Sequence, residues 1–211
     1  MEIIWFDTLP STQTYLIEHI KDGSLRAPVC IAAHTQSSGI GSRCNKWEHG
    51  DGNLFFSFAI PLAQLPRDLR IESASVYFMY ILKNLLAAKE SMCWLKWPND
   101  IYIDEQKIGG AITFYDDKNS VFICGIGLNV ESEAGFGKCD IKVDKKSLLN
   151  EYLSIFQALP SWRDIFIKFQ VEFEKTMHMS VYDKSFDCNQ KVSLNEDGSL
   201  NVDNKKVFSL R

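Results

Sequence analysis

Between Cys93 and Val130 four β-rich runs follow one another, "CWLKW", "IYI", "KIGGAITFY" and "SVFICGIGLNV", with only short turns between them. Connections of two to five residues cannot carry a crossover, so each run must pair antiparallel with its neighbour. The first run has to stop at Pro98, because proline donates nothing to a ladder. A hairpin sheet of this kind needs a covered face. The cover is legible upstream, where Ile71, Ala74, Phe78, Met79, Leu82, Leu85 and Leu86 recur at helical spacing between Ile71 and Lys89.

Around this block the pattern predicts further elements. "EIIWF" (2–6) reads as a strand, and Ser11 or Thr12 caps a helix through Ile20. "VCIAAHT" (29–35) and "NLFFSFAI" (53–60) read as strands, and helical patterns cover 146–157 and 161–178, the second capped by Ser161. After residue 180 large apolar residues thin out, and short strands surround an Asp197-Gly198 turn. The expectation is an α+β (α/β-type) core with a mixed, mostly antiparallel sheet covered by helices over residues 1–180. A small, shortened β domain is expected over 181–211.

Bulk properties exclude several classes. The net charge of -4 and the pI near 5.6 argue against a nucleic-acid-binding protein, which needs clustered Lys and Arg. No run of 18 apolar residues suggests a membrane span, and the acidic start "MEIIWFDTLP" has no signal-peptide character. The six cysteines, at 30, 44, 93, 124, 139 and 188, form no CxxC pair. Cys30, Cys93 and Cys124 read as small buried hydrophobes, and the expectation is a reduced, cytoplasmic protein.

Three glycine-bearing loops carry unusual polar residues. In "QSSGIGSRCNKW" (36–47), Gly39 and Gly41 allow close backbone approach, and Arg43 and Lys46 add positive charge. The segment is either an anion cradle or a plain surface loop. In "KWPNDIYIDEQKIGG" (96–110), Asp100 is a candidate Mg²⁺ ligand and Lys107 a candidate stabiliser of developing negative charge, against a plain turn and a solvated lysine. In "GIGLNV" (125–130), Asn129 either caps a turn or reaches a ligand, and Trp47 is either a core anchor or a stacking surface. His19 and His34 have no partner at a meaningful spacing and read as structural.

Taken together and in this order, the motifs resemble the bacterial biotin protein ligases, in their short form without an N-terminal DNA-binding domain. The family's "STN" is similar to Ser11-Thr12-Gln13, and its biotin loop ending in tryptophan is similar to Gln36–Trp47. Its "KWPND…K.GG" matches Lys96–Gly110, and its "GIGINV" matches Gly125–Val130. The resemblance covers about residues 3 to 178. It implies activation of biotin with MgATP to biotinyl-5′-AMP, then transfer to a lysine of the biotin carboxyl carrier domain of a carboxylase. A homodimer through exposed sheet edges is compatible with it.

By that pattern the biotin site comprises Ser11, Thr12, Gln13, Gln36, Gly39, Ile40, Gly41, Ser42, Lys107, Gly109, Gly110 and Gly125. Arg43, Trp47, Asn99, Lys107 and Asn129 border ATP, Asp100 faces the metal, and Lys107 with Arg43 carries the catalysis. The chain departs from the family loop GRGRxGRxW, lacking arginines at 40, 42 and 45. Lipoate or octanoate ligases and transferases share the fold superfamily, but their "RRxSGGG" loop is missing here. A non-catalytic biotin-binding protein is the third reading, kept open by the depleted arginines.

Overall fold

The computed structural model of the protein describes residues 1–41, 52–131, 137–182 and 191–208. The elements are β1 (Glu2–Leu9), α1 (Thr12–Lys21), β2 (Val29–Gln36), β3 (Leu54–Pro61), α2 (Ala74–Ala87), β4 (Trp94–Lys96), β5 (Asp100–Ile103), β6 (Gln106–Asp116) and β7 (Val121–Leu128). They continue with α3 (Lys145–Ser154), α4 (Trp162–Tyr182), β8 (Val192–Leu194), β9 (Leu200–Val202) and β10 (Lys205–Val207). Seven strands form one sheet in the order β1-β2-β3-β7-β6-β5-β4, and the last three form a small separate sheet. Only β1 and β2 pair in parallel, joined by the α1 crossover; every other described pair is antiparallel. The expected mixed, mostly antiparallel α+β core is what forms.

Three of the four described helices, α1, α3 and α4, begin at a side-chain cap. The Ser11 hydroxyl accepts from the Thr14 amide at 3.3 Å and opens α1. Asp144 does the same for α3 through the Ser147 amide at 2.7 Å. Ser161 and Asp164 exchange bonds at the start of α4. The 71–89 pattern divides: residues Ile71–Ser73 form a 3-10 turn before α2. α2 is also buried on all sides from Ala74 to Leu82, because the sheet covers one side and α3 and α4 cover the other. Its amphipathic spacing understates that enclosure.

The sheet has two unlike faces. One packs the main core against α2, α3 and α4, with Phe56 against Tyr152 and Phe58 against Phe78 edge to face, and Phe78 stacked on Phe122. The other carries a smaller cluster, Leu16, Ile20, Ile31, Ala33, Ala59 and Ile123, under α1. α1 covers only part of that second face, and the strip beyond its N-terminus is left for something else.

The small sheet is tied to the core by its Asp197-Gly198 turn. Trp97 Nε1 donates to Gly198 O at 2.9 Å, Trp162 Nε1 to Glu196 O at 2.7 Å, and Ser73 Oγ to Asp197 O at 2.5 Å. Cys30, Cys93, Cys124 and Cys139 are buried free thiols. His19 stacks on Tyr15 and His34 on Trp5, so both histidines have structural partners. Among the described residues no helix is long and apolar enough to cross a membrane.

Candidate functional site

Strand alternation builds a trough on the strip that α1 leaves open. In β7, Cys124, Ile126 and Leu128 join the main core, so Gly125 and Gly127 face the other way. The pairing register carries the row across the sheet: Ser57 lies opposite Gly125, which lies opposite Ile112. The next row runs Phe55, Gly127, Gly110 and Asp100. Three glycines in two adjacent rows leave a floor of bare backbone. The resulting cleft encloses about 420 Å³, a figure that includes its open mouth.

The far wall comes from a strand irregularity. Tyr102 pairs with Lys107 but Ile101 pairs with Gly109, so the register shifts and Ile108 is passed over. Such a bulge moves the alternation by one residue. Lys107 therefore projects to the same side as Gly110, although regular alternation would oppose them. Its Nζ lies 2.8 Å from Asp100 Oδ1. A Cβ at Gly110 would lie 2.9 Å from that oxygen and 3.1 Å from Lys107 Nζ, so a side chain there would have to displace the ion pair.

The near wall is the start of α1. The Thr12 amide donates to Gln36 Oε1 at 2.7 Å, and Thr12 Oγ1 shares a hydrogen bond with Ser57 Oγ at 2.9 Å. Gln13 lies over Gly125, where a Cβ would come within 2.6 Å of Gln13 Oε1. Gln13 Oε1 and Asn99 Oδ1 are buried acceptors without a hydrogen-bond donor. Polar atoms so placed on a cleft are suited to a ligand that brings its own N–H or water.

Of the residues singled out in the sequence, the cleft brings together Ser11, Thr12, Gln13, Gln36, Ile40, Gly41, Asn99, Asp100, Lys107, Gly110 and Gly125. Three others sit elsewhere. Gly39 is buried outside the lining. Gly109 faces Leu128 and the Gly127 carbonyl, since it and Gly110 point to opposite sides. Asn129 does not line the cleft: its Nδ2 donates to Gly137 O at 3.0 Å and its amide to Ile108 O at 2.7 Å. Ser42, Arg43 and Trp47 lie outside the described residues.

The lining also includes Phe55, Ser57, Ala111, Ile112, Ile126 and Gly127, which the sequence reading passed over. Two carried a signal. Ser57 is the lone polar residue in "LFFSFAI", and Gly127 repeats Gly125 at strand spacing.

Comparison with known proteins agrees with this geometry. Residues 5–131, more than half of the chain, match the model of the Biotin/lipoate A/B protein ligase family. Biotin--protein ligase 2 of Arabidopsis thaliana is 28% identical over 145 residues, which are 62% of this chain and 41% of the relative. The bifunctional ligase/repressor BirA of Escherichia coli is 30% identical over 128 residues, 58% of this chain and 38% of that protein. The chain thus spans about two fifths of the length of these curated relatives. Among solved structures, the biotin acetyl coenzyme A carboxylase synthetase of Helicobacter pylori with bound biotinylated ATP is 33% identical, at a TM-score of 0.87 over 98% of this chain and 99% of that one. The biotin protein ligase of Aquifex aeolicus in complex with biotin and ATP shares the fold at a TM-score of 0.69, 21% identity, and 100% and 98% coverage. With its motifs converging on one glycine-floored cleft, this chain belongs to the Biotin/lipoate A/B protein ligase family.

Proposed function

We propose that this protein is a biotin--protein ligase. It joins biotin to AMP at the expense of ATP and then passes the biotinyl group to a lysine of a biotin carboxyl carrier domain. The observation that carries this reading is the Lys107–Asp100 ion pair at one end of the cleft, facing the polar start of α1 at the other. Full-length likeness to a synthetase that holds biotinylated ATP supports it.

The first step sets two anions against each other. A carboxylate oxygen of biotin attacks the α-phosphorus, the bond from that phosphorus to the bridging oxygen breaks, and pyrophosphate leaves. The protein has to hold the reactants in line and offset their repulsion. Ser11, Thr12, Gln13 and Gln36 take the ureido ring, whose N–H groups suit the acceptor at Gln13. Phe55, Ala111 and Ile112 flank the apolar thiophane ring and chain. The Lys107 ammonium sits where carboxylate and α-phosphate meet. In the second step the acceptor amine attacks the acyl carbon, AMP leaves, and the amide nitrogen loses its proton.

Mg²⁺, when bound, would neutralise part of the triphosphate charge. Asp100 would hold it, with Asn99 Oδ1 nearby as a buried neutral acceptor. Among the described residues no group of three His, Cys, Asp or Glu could cage a metal. One carboxylate with a neutral oxygen beside it suits an ion that arrives with the nucleotide and keeps waters and phosphate oxygens as its other ligands. Arg43 and Trp47 complete the proposed nucleotide side, with Asn99 and Asn129 close to it.

A catalytic unit over 1–180 with a small β appendage over 181–211 belongs to the same reading, supported by the change of sheet. Four buried free thiols support a reducing cytoplasmic setting. Pairing of two copies is open to it through the sheet edges β1 and β4. The test is to incubate the protein with biotin, MgATP and a carrier domain, and to weigh the carrier. The reading predicts a mass gain of one biotinyl group that disappears in Lys107→Ala. An unchanged carrier mass with the wild type refutes it.

A further inference from the structure

The bulge that aims Lys107 into the cleft is braced from behind by a segment outside the cleft. Gly137 lies against the Lys107 peptide: a Cβ there would come 2.6 Å from Lys107 O, 2.9 Å from Gln106 Cβ and 3.1 Å from Lys107 C. Two of these three neighbours are backbone atoms, so they have no side-chain freedom with which to retreat. Gly137 is held at this distance by Asn129, whose Nδ2 donates to Gly137 O at 3.0 Å. Asn129 is itself fixed at both backbone ends. Its amide donates to Ile108 O at 2.7 Å, and its carbonyl accepts from the Cys139 amide at 2.9 Å. Ile108 is the residue that the register shift passes over. The contacts close a ring, Lys107–Ile108–Asn129–Gly137, around the bulge.

We infer that Gly137 is a positioning residue for Lys107: its missing side chain lets the segment seat against the bulge and set where the ammonium points. The inference rests on the role proposed for Lys107. Gly137 is not among the residues that line the cleft and acts only through that lysine. A side chain at 137 would push the Lys107 carbonyl outward, and misplacement of a reacting group by about 1 Å costs roughly 100-fold in rate.

Biotin-dependent ATP–pyrophosphate exchange tests this in a double-mutant cycle. Gly137→Ala is expected to lower kcat for exchange about 10- to 100-fold with little change in the KM for biotin. In the Lys107→Ala background it is expected to add nothing. An undiminished kcat, or an equal additional loss in that background, overturns the inference. A second measurement does not depend on turnover: acylation of Lys107 by acetic anhydride, normalised to Lys83 and read by peptide mass. Loosening of the ion pair is expected to speed Lys107 acylation about 2- to 5-fold in Gly137→Ala, and likewise in Asn129→Ala, which removes the donor without adding bulk. Unchanged acylation in folded Asn129→Ala overturns the inference even if Gly137→Ala does not fold. Absence of biotin-dependent exchange in the wild type counts against the proposed function alone, and the acylation arm still decides the positioning.

Discussion

Gly125 shows how much depends on one missing methyl group. A Cβ at this position would lie 2.6 Å from Gln13 Oε1 and 2.9 Å from Ser57 Oγ, so Gly125→Ala must displace two side chains of the cleft. Overpacking of this kind costs about 1–3 kcal/mol. We expect biotin affinity to fall about 10-fold or more, measured by titration calorimetry, and an unchanged Kd would contradict the trough geometry. The buried thiols give a second prediction at this scale. Burial pushes the Cys139 thiol up to about 12 and raises Cys30, Cys93 and Cys124 as well. Iodoacetamide at neutral pH should leave these four unmodified in the native protein and alkylate them after unfolding. Rapid native labelling of Cys93 or Cys139 would show that their burial is overstated. The sequence disclosed these residues unequally. Gly125 and Gly110 stood out within recognisable motifs, and Cys30, Cys93 and Cys124 within apolar runs. Ser57 did not, because a single hydroxyl in a phenylalanine-rich strand looks like a packing detail until the register sets it beside Thr12.

Elements were legible wherever the turn between them was short. The hairpins from β4 to β7 followed from the spacing alone, and the observed pairings agree. What spacing does not encode is the order of distant strands: that β7 returns to sit between β3 and β6, or that β1 and β2 are the parallel pair. The bulge at Ile101/Tyr102 was also hidden, since no residue type marks it. The docking of the small sheet is likewise a tertiary matter and has its own test. Burial alone would raise the Asp197 carboxyl, but hydrogen bonds from Lys206 and Ser199, and the Lys206 charge, hold it below its ordinary value. A carboxyl depressed in the folded state adds stability above its unfolded value, and that stability is lost as pH falls through the folded value. The small sheet should therefore loosen below about pH 4. Limited pepsin digestion, scaled to an unfolded control, should cut residues 191–208 faster as pH drops, and Asp197→Asn should flatten that dependence. A wild-type tail cut no faster in acid would sink the point.

On the scale of the whole molecule, the sheet divides its labour between two faces. One is given wholly to an aromatic core that fixes the strands, and the other is left partly bare, so that the floor, the α1 start and the bulge meet at one cleft. In the proposed reaction, rigid strands would hold the polar groups that confront two anions, which is the preorganisation such a reaction needs. Segments distant in sequence converge there, and only their motifs, not their spacing, hinted at it. The account turns on Lys107 standing where biotin's carboxylate meets the α-phosphate. The most direct measurement is biotin-dependent ATP–pyrophosphate exchange by the wild type and Lys107→Ala, with biotin binding followed in parallel. The account predicts exchange in the wild type and a loss of about 100-fold or more in the variant, with biotin still bound within about 10-fold of the original affinity. Exchange that survives the substitution undiminished would contradict it.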